Sequence, residues 1–124
     1  MMNKKISSFT QLTAWKKAHE LVLEIYKLTN EIPNKERYSL SDQMQRAAVS
    51  VTSNIAEGFA RQSKKEKVNF YFIARGSLTE LQNQLLICRD LKYISVEKFK
   101  ETAELTINVH KLINGLIKSA KSKN

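Results

Sequence analysis

Across 124 residues the sequence holds one proline, Pro33, and three glycines, Gly58, Gly76 and Gly115. A sheet protein needs many turns, and so few breakers leave room for about three interruptions with long helices between them. No segment shows the apolar–polar alternation of a half-buried strand. Apolar residues instead recur at steps of three and four along the whole chain, which is the helical period. The expectation is an all-α chain, an antiparallel up-and-down four-helix bundle forming a single domain over residues 1–124.

The first helix is expected over about residues 10–32. Leu12, Trp15, His19, Val22, Tyr26 and Thr29 form one stripe, and Ala14, Ala18, Leu21, Ile25, Leu28 and Ile32 form a second beside it. At 100° per residue the two stripes span an arc of about 200°. So wide an arc fits a helix packed on two neighbours, or one that also meets another subunit. Trp15, Leu21, Ile25 and Leu28 are the interface candidates. Pro33 stops this helix.

The second helix is expected over about 40–61, with Ser39 and Asp42 as a variant capping pair. Met44, Ala47, Ala48, Val51 and Ile55 make its face unusually small, and Gly58 marks either a close contact or a weak point. The third, about 64–91, starts at a capping box of Ser63 and Glu66. Tyr71, Leu78 and Leu85 alternate with Ala74, Leu81 and Cys88 as an a/d seam. Ser95 caps the fourth, about 96–119, and a basic, frayed tail follows from Lys118.

Lysine and arginine number 21 against 12 aspartates and glutamates, a formal charge of +9. Such a field favours polyanions: nucleic acid, an anionic membrane surface or an acidic protein. A basic chain that binds nothing anionic is the alternative. One cysteine cannot build a disulfide framework or a zinc site. No apolar run approaches the roughly 20 residues of a membrane span, and the first residues do not read as a signal peptide. The expected location is the cytoplasm. No phosphate loop, nucleophile motif or metal-ligand cluster is legible, so no enzymatic activity and no cofactor is expected. His19 and His110 each fall on an apolar stripe and read as core or interface residues.

The candidate nucleic-acid-binding residues crowd the junction of the second and third helices: Arg46, Arg61, Lys64, Lys65, Lys67 and Arg75. They could contact phosphates, helped by the N–H groups that open the third helix. A solvated turn carrying ordinary charges is the competing reading. Asn54, Glu57, Gly58, Gly76 and Glu80 are expected to be structural. If the two helices fold back about Gln62–Ser63, Glu80 lies level with Gln45, predicting an Arg46–Glu80 bridge. Gly76 lies level with Val49, predicting close helix approach there. Glu57 and Arg61 have i,i+4 spacing.

The run from Gln43 to Gly58 (QMQRAAVSVTSNIAEG), then Arg61, Ser63 and Ala74 to Leu81 (ARGSLTEL), resembles the 23S rRNA intervening-sequence protein family, the bacterial four-helix bundle proteins. Phe9, Leu12, Trp15 and Ala18, and then Ile32, Pro33 and Glu36, extend the likeness from about Phe9 to Ile117. Gln45 departs from it, standing where a second arginine is expected. The resemblance implies a bundle assembling as a homopentamer, which would carry +45, five times the +9 of one chain. It also implies a kinship with accessory proteins of diversity-generating retroelements, which bind a reverse transcriptase and nucleic acid. It implies no catalytic activity. The leading expectation is an oligomeric nucleic-acid-binding protein, with RNA favoured over DNA. The alternative is an adaptor that docks a nucleic-acid enzyme such as a reverse transcriptase.

Overall fold

A computed structural model describes residues 5–122. Four helices follow one another: α1 (Thr13–Thr29), α2 (Leu40–Ala60), α3 (Lys64–Asp90) and α4 (Val96–Ser122). Short 3₁₀ turns at Phe9–Gln11 and Asn34–Glu36 precede α1 and α2. Each helix packs on the next, and α4 closes the ring against α1. The result is the up-and-down four-helix arrangement.

The core comes from one stripe per helix. On α1 it is Ala14, Ala18, Leu21, Ile25 and Leu28. Leu21, Ile25 and Leu28 are wholly buried inside the single chain, so they cannot form a face for another copy. The neighbouring stripe lies at the margin: Trp15 and Val22 are half-buried, while His19 and Tyr26 are exposed. The wide arc of α1 therefore divides into a core stripe and a flank. Trp15 stacks on His19, with ring centroids 4.7 Å apart, and meets the edge of Phe9 at 5.4 Å. His19 is thus a surface ring resting on Trp15, and His110 is half-buried.

The a/d seam of α3 is buried throughout, from Tyr71 and Ala74 to Leu85 and Cys88. The Cys88 thiol lies 3.5 Å from the Met44 sulfur. Burial, with a smaller contribution from the Glu36 carboxylate, pushes that thiol up to about 11.

The helix ends explain the turns. Ser63 caps α3 by accepting from the Glu66 N–H at 3.1 Å, and Ser95 accepts from the Lys98 N–H at 3.1 Å. Ser39 caps nothing with its side chain; its hydroxyl donates instead to the Glu36 carboxylate at 2.7 Å. At the end of α3, Lys92 takes φ 60°. The N–H groups of Lys92 and Tyr93 return to the carbonyls of Arg89 and Cys88, a Schellman closure without glycine. Helix α4 continues to Ser122, so Lys118–Ser122 is helical rather than frayed; Lys123 and Asn124 lie outside the described residues.

The register of α2 on α3 differs from a simple fold-back. Ser77 meets Ser50 at 2.7 Å, two residues further along α2 than expected. The predicted Arg46–Glu80 bridge is not formed, because each side chain is engaged on its own helix. Arg46 pairs with Asp42 at 3.0 Å on its own helix, and Glu80 accepts from Gln84 at 3.4 Å. Gly76 likewise makes no close helix contact, since a Cβ there would meet nothing within 4 Å. Gly58 is the close contact: a Cβ there would stand 2.6 Å from Cε1 of Tyr71 and 3.2 Å from Cβ of Phe70.

Opposite signs follow for two glycine substitutions. Gly58→Ala should destabilise the fold by about 1–2 kcal/mol, because overpacking against buried Tyr71 outweighs the helix propensity gained. Gly115→Ala, with open space around it, should stabilise by up to about 1 kcal/mol. Urea midpoints of the two variants check this; shifts in the same direction would refute the close-contact reading of Gly58.

A second expectation concerns acid. The Glu36 carboxylate accepts from the hydroxyls of Ser39 and, at 2.9 Å, Tyr93, joining the α1–α2 connection to the α3–α4 turn. These bonds hold its carboxyl below the ordinary range, the Ser39 bond most strongly. The stabilisation is complete above the unfolded value of about 4.3 and is lost as pH falls through the lower folded value. Glu36→Gln should lower stability at neutral pH and shrink the further loss on acidification to about pH 3, read as urea midpoints at both pH values.

Candidate nucleic-acid interface

An even number of antiparallel helices brings the chain start, the α2–α3 turn and the end of α4 to one end of the bundle. Side chains from all three meet there: one hollow is lined by Lys5, Leu12, Phe59, Lys64, Lys67, Tyr71 and Leu116, among others. A second is lined by Lys64, Lys65, Glu66, Val68, Asn69, Phe72 and Lys121. On residues 5–8, 57–67 and 118–122 the cations are Lys5, Arg61, Lys64, Lys65, Lys67, Lys118 and Lys121, and the carboxylates are Glu57 and Glu66. The opposite end is balanced: residues 30–39 and 89–97 carry Lys35, Arg37, Arg89 and Lys92 against Glu31, Glu36, Asp90 and Glu97. The net charge of the chain is thus distributed unevenly along the bundle axis.

The six sequence candidates do not form one patch. Lys64 and Lys65 occupy the first turn of α3 and are exposed. Arg61 is also exposed, but it bonds Glu57 at 3.1 Å and lies over the Phe70 ring at 4.9 Å. Lys67 reaches back across the turn. Its ammonium donates to the carbonyls of Phe59 at 2.7 Å and Gly58 at 3.2 Å, at the C-terminus of α2. It neutralises the negative end of that helix and satisfies acceptors that α2 leaves open. Its role is to close the hairpin.

Arg46 and Arg75 lie away from the turn. Arg46 is 15 residues before Arg61 along α2, about 22 Å at helical rise. Arg75 binds α3 to α4 through Asn114 at 2.9 Å and lies 5.0 Å over the Phe72 ring. Asn54 bonds the Ser50 carbonyl at 2.8 Å and so braces the Ser50–Ser77 contact. Sequence reasoning missed Lys5 and Lys121, which are far from the turn in the chain. The up-and-down topology was the available signal, since it returns both chain ends to that turn.

Among the described residues no cluster of three or more His, Cys, Asp or Glu could hold a metal ion. Nor is any helix among them long and apolar enough to cross a membrane.

The sequence matches the family model of the 23S rRNA-intervening sequence protein over residues 10–115. The chain belongs to that family. The match spans α1 to α3 and most of α4, so it takes in the hairpin that carries Arg61, Lys64 and Lys65. The fold agrees with a crystal structure from Bacteroides thetaiotaomicron, described as a protein with unknown function from the S23 ribosomal protein family. The TM-score is 0.79 at 24% identity, covering 86% of this chain and 99% of that one. No curated protein matches the chain. The family description attaches no catalytic activity to this 23S rRNA-intervening sequence protein, and its basic end is defined by geometry alone.

The lysines of the turn should separate by function. Lys67→Ala should destabilise the fold by about 1–2 kcal/mol, through loss of charged hydrogen bonds at a helix C-terminus. Lys64→Ala and Lys65→Ala should stay within about 0.5 kcal/mol of the parent. Urea denaturation of the three variants decides; equal effects would remove the assigned role of Lys67.

Proposed function

We propose that this protein is a non-enzymatic RNA-binding bundle that grips phosphates with its basic end. The observation carrying the reading is the charge asymmetry between the two ends. Lys5, Lys64, Lys65, Lys118 and Lys121 are exposed there, and the acidic neighbours are already engaged. Glu57 bonds Arg61, and Glu66 accepts from the Ser63 hydroxyl at 3.1 Å. Contacts of this kind go to phosphate and are indifferent to sequence.

Self-association belongs to the same reading. Leu23, Tyr26 and Val49 are 52%, 45% and 39% exposed on α1 and α2, an apolar edge suited to a second copy. A homopentamer, the assembly that family resemblance implies, would repeat the basic end around a ring and turn weak sites into a strong one. An acidic face of a nucleic-acid enzyme such as a reverse transcriptase is the partner left if RNA is not bound.

The test is RNA binding by nuclease-treated protein over a salt series, with mass from light scattering in the same buffers. Log affinity should fall linearly with log salt. Lys64→Glu with Lys65→Glu should lower affinity, reduce the magnitude of that slope by about 2 and leave helicity and mass unchanged. Lys67 is kept, because it closes the fold. Absence of binding at low salt would overturn the proposal.

A further inference from the structure

Phe72 is a large aromatic side chain that is 39% exposed on α3. It borders the hollow that Lys64, Lys65 and Lys121 also line, with a volume of about 470 Å³. That size falls within the range of small-ligand pockets, roughly 300–1,000 Å³. The floor is apolar, from Val68 and Phe72, and the rim is cationic. Asn69 adds an exposed amide that can both donate and accept. Two cations lie over the Phe72 ring: the Arg75 guanidinium at 5.0 Å and the Lys121 ammonium at 5.2 Å. Arg75 is fixed by Asn114 at 2.9 Å. Lys121 lies one residue from the end of α4 and reaches the ring on a long, flexible side chain.

We infer that this hollow is a stacking site for one unpaired base of single-stranded RNA, with Phe72 as the platform and Lys64, Lys65 and Lys121 holding the flanking phosphates. The inference rests on the RNA-binding reading and specifies what part of the RNA is held. An apolar ring inside a cationic rim matches a nucleotide, which is a flat π-face joined to an anion. A duplex offers only its phosphates, because its bases are stacked on each other. A base arriving on Phe72 displaces the Lys121 ammonium from the ring, and that ammonium is then placed to meet a phosphate. Base–aromatic stacking outweighs an exposed cation–π contact, so the exchange is favourable. Glu66 also borders the hollow; its carboxylate is drawn toward the Ser63 hydroxyl at the cap of α3.

Fluorescence anisotropy with two labelled RNAs tests the site: an unstructured adenine-rich 12-mer and a blunt duplex of equal length. Phe72→Ala should weaken 12-mer binding about tenfold, leave duplex binding unchanged and leave the salt slope unchanged. Phe72→Trp should restore 12-mer binding, and its indole emission should be quenched on titration. Lys64→Glu with Lys65→Glu should weaken both RNAs. Equal affinity of parent and Phe72→Ala for the 12-mer would overturn the stacking site while leaving phosphate binding intact. Binding of neither RNA by the parent would overturn both readings. Loss of retention on phosphatidylserine vesicles by Phe72→Ala, with RNA binding unaltered, would overturn the stacking site in favour of a membrane contact.

Discussion

The ring of Tyr71 occupies space that a side chain at position 58 would need. This packing governs the hairpin of α2 and α3, and through it the basic end of the bundle. With hydrogen alone at Gly58, the last turn of α2 closes on the first turns of α3. The connection then needs only Arg61, Gln62 and Ser63. In so tight a hairpin Lys67 lies directly under the carbonyls that end α2, and its ammonium satisfies two of them. Lys64 and Lys65, one turn earlier, have no such neighbour to reach and point to solvent. The same short turn therefore produces one half-buried structural cation and two displayed ones.

The charge distribution follows from topology as much as from composition. Four antiparallel helices return both chain ends to the α2–α3 turn, so cations from three separate parts of the sequence converge. At the other end the connections carry hydrogen bonds and ion pairs of their own. Glu36 links Ser39 and Tyr93, Arg89 pairs with Asp90 at 2.8 Å, and Lys98 reaches Glu24 at 3.4 Å. One end of the molecule is held by its own polar contacts, and the other presents its charge outward.

Much of the fold was legible in the sequence because its signals are periodic and local. The α3 seam, the Ser63 and Ser95 caps and the small face of α2 needed nothing but spacing. Three features were not legible for identifiable reasons. The double stripe of α1 could not be divided into core and flank, since Leu21 and Val22 are equally apolar and only the placement of α2 and α4 separates them. The Arg46–Glu80 bridge failed because Asp42, one turn from Arg46 on the same helix, takes the guanidinium instead. Lys67 looked like its neighbours Lys64 and Lys65 because its partners are backbone carbonyls, which sequence does not distinguish. Of the site, the turn lysines were visible, whereas the contributions of Lys5 and Lys121 depend on the path of the whole chain. Phe72 lies off the α3 seam, and its place beside Lys121 depends on where α4 packs.

The lone cysteine gives the protein an internal clock. Cys88 is enclosed beside Met44 with its thiol raised to about 11, so at neutral pH it stays in the unreactive thiol form. Alkylating and oxidising reagents can reach the sulfur only in molecules whose helices have parted. The rate at which that single atom is modified therefore follows the opening of the bundle, without a label and without a substitution.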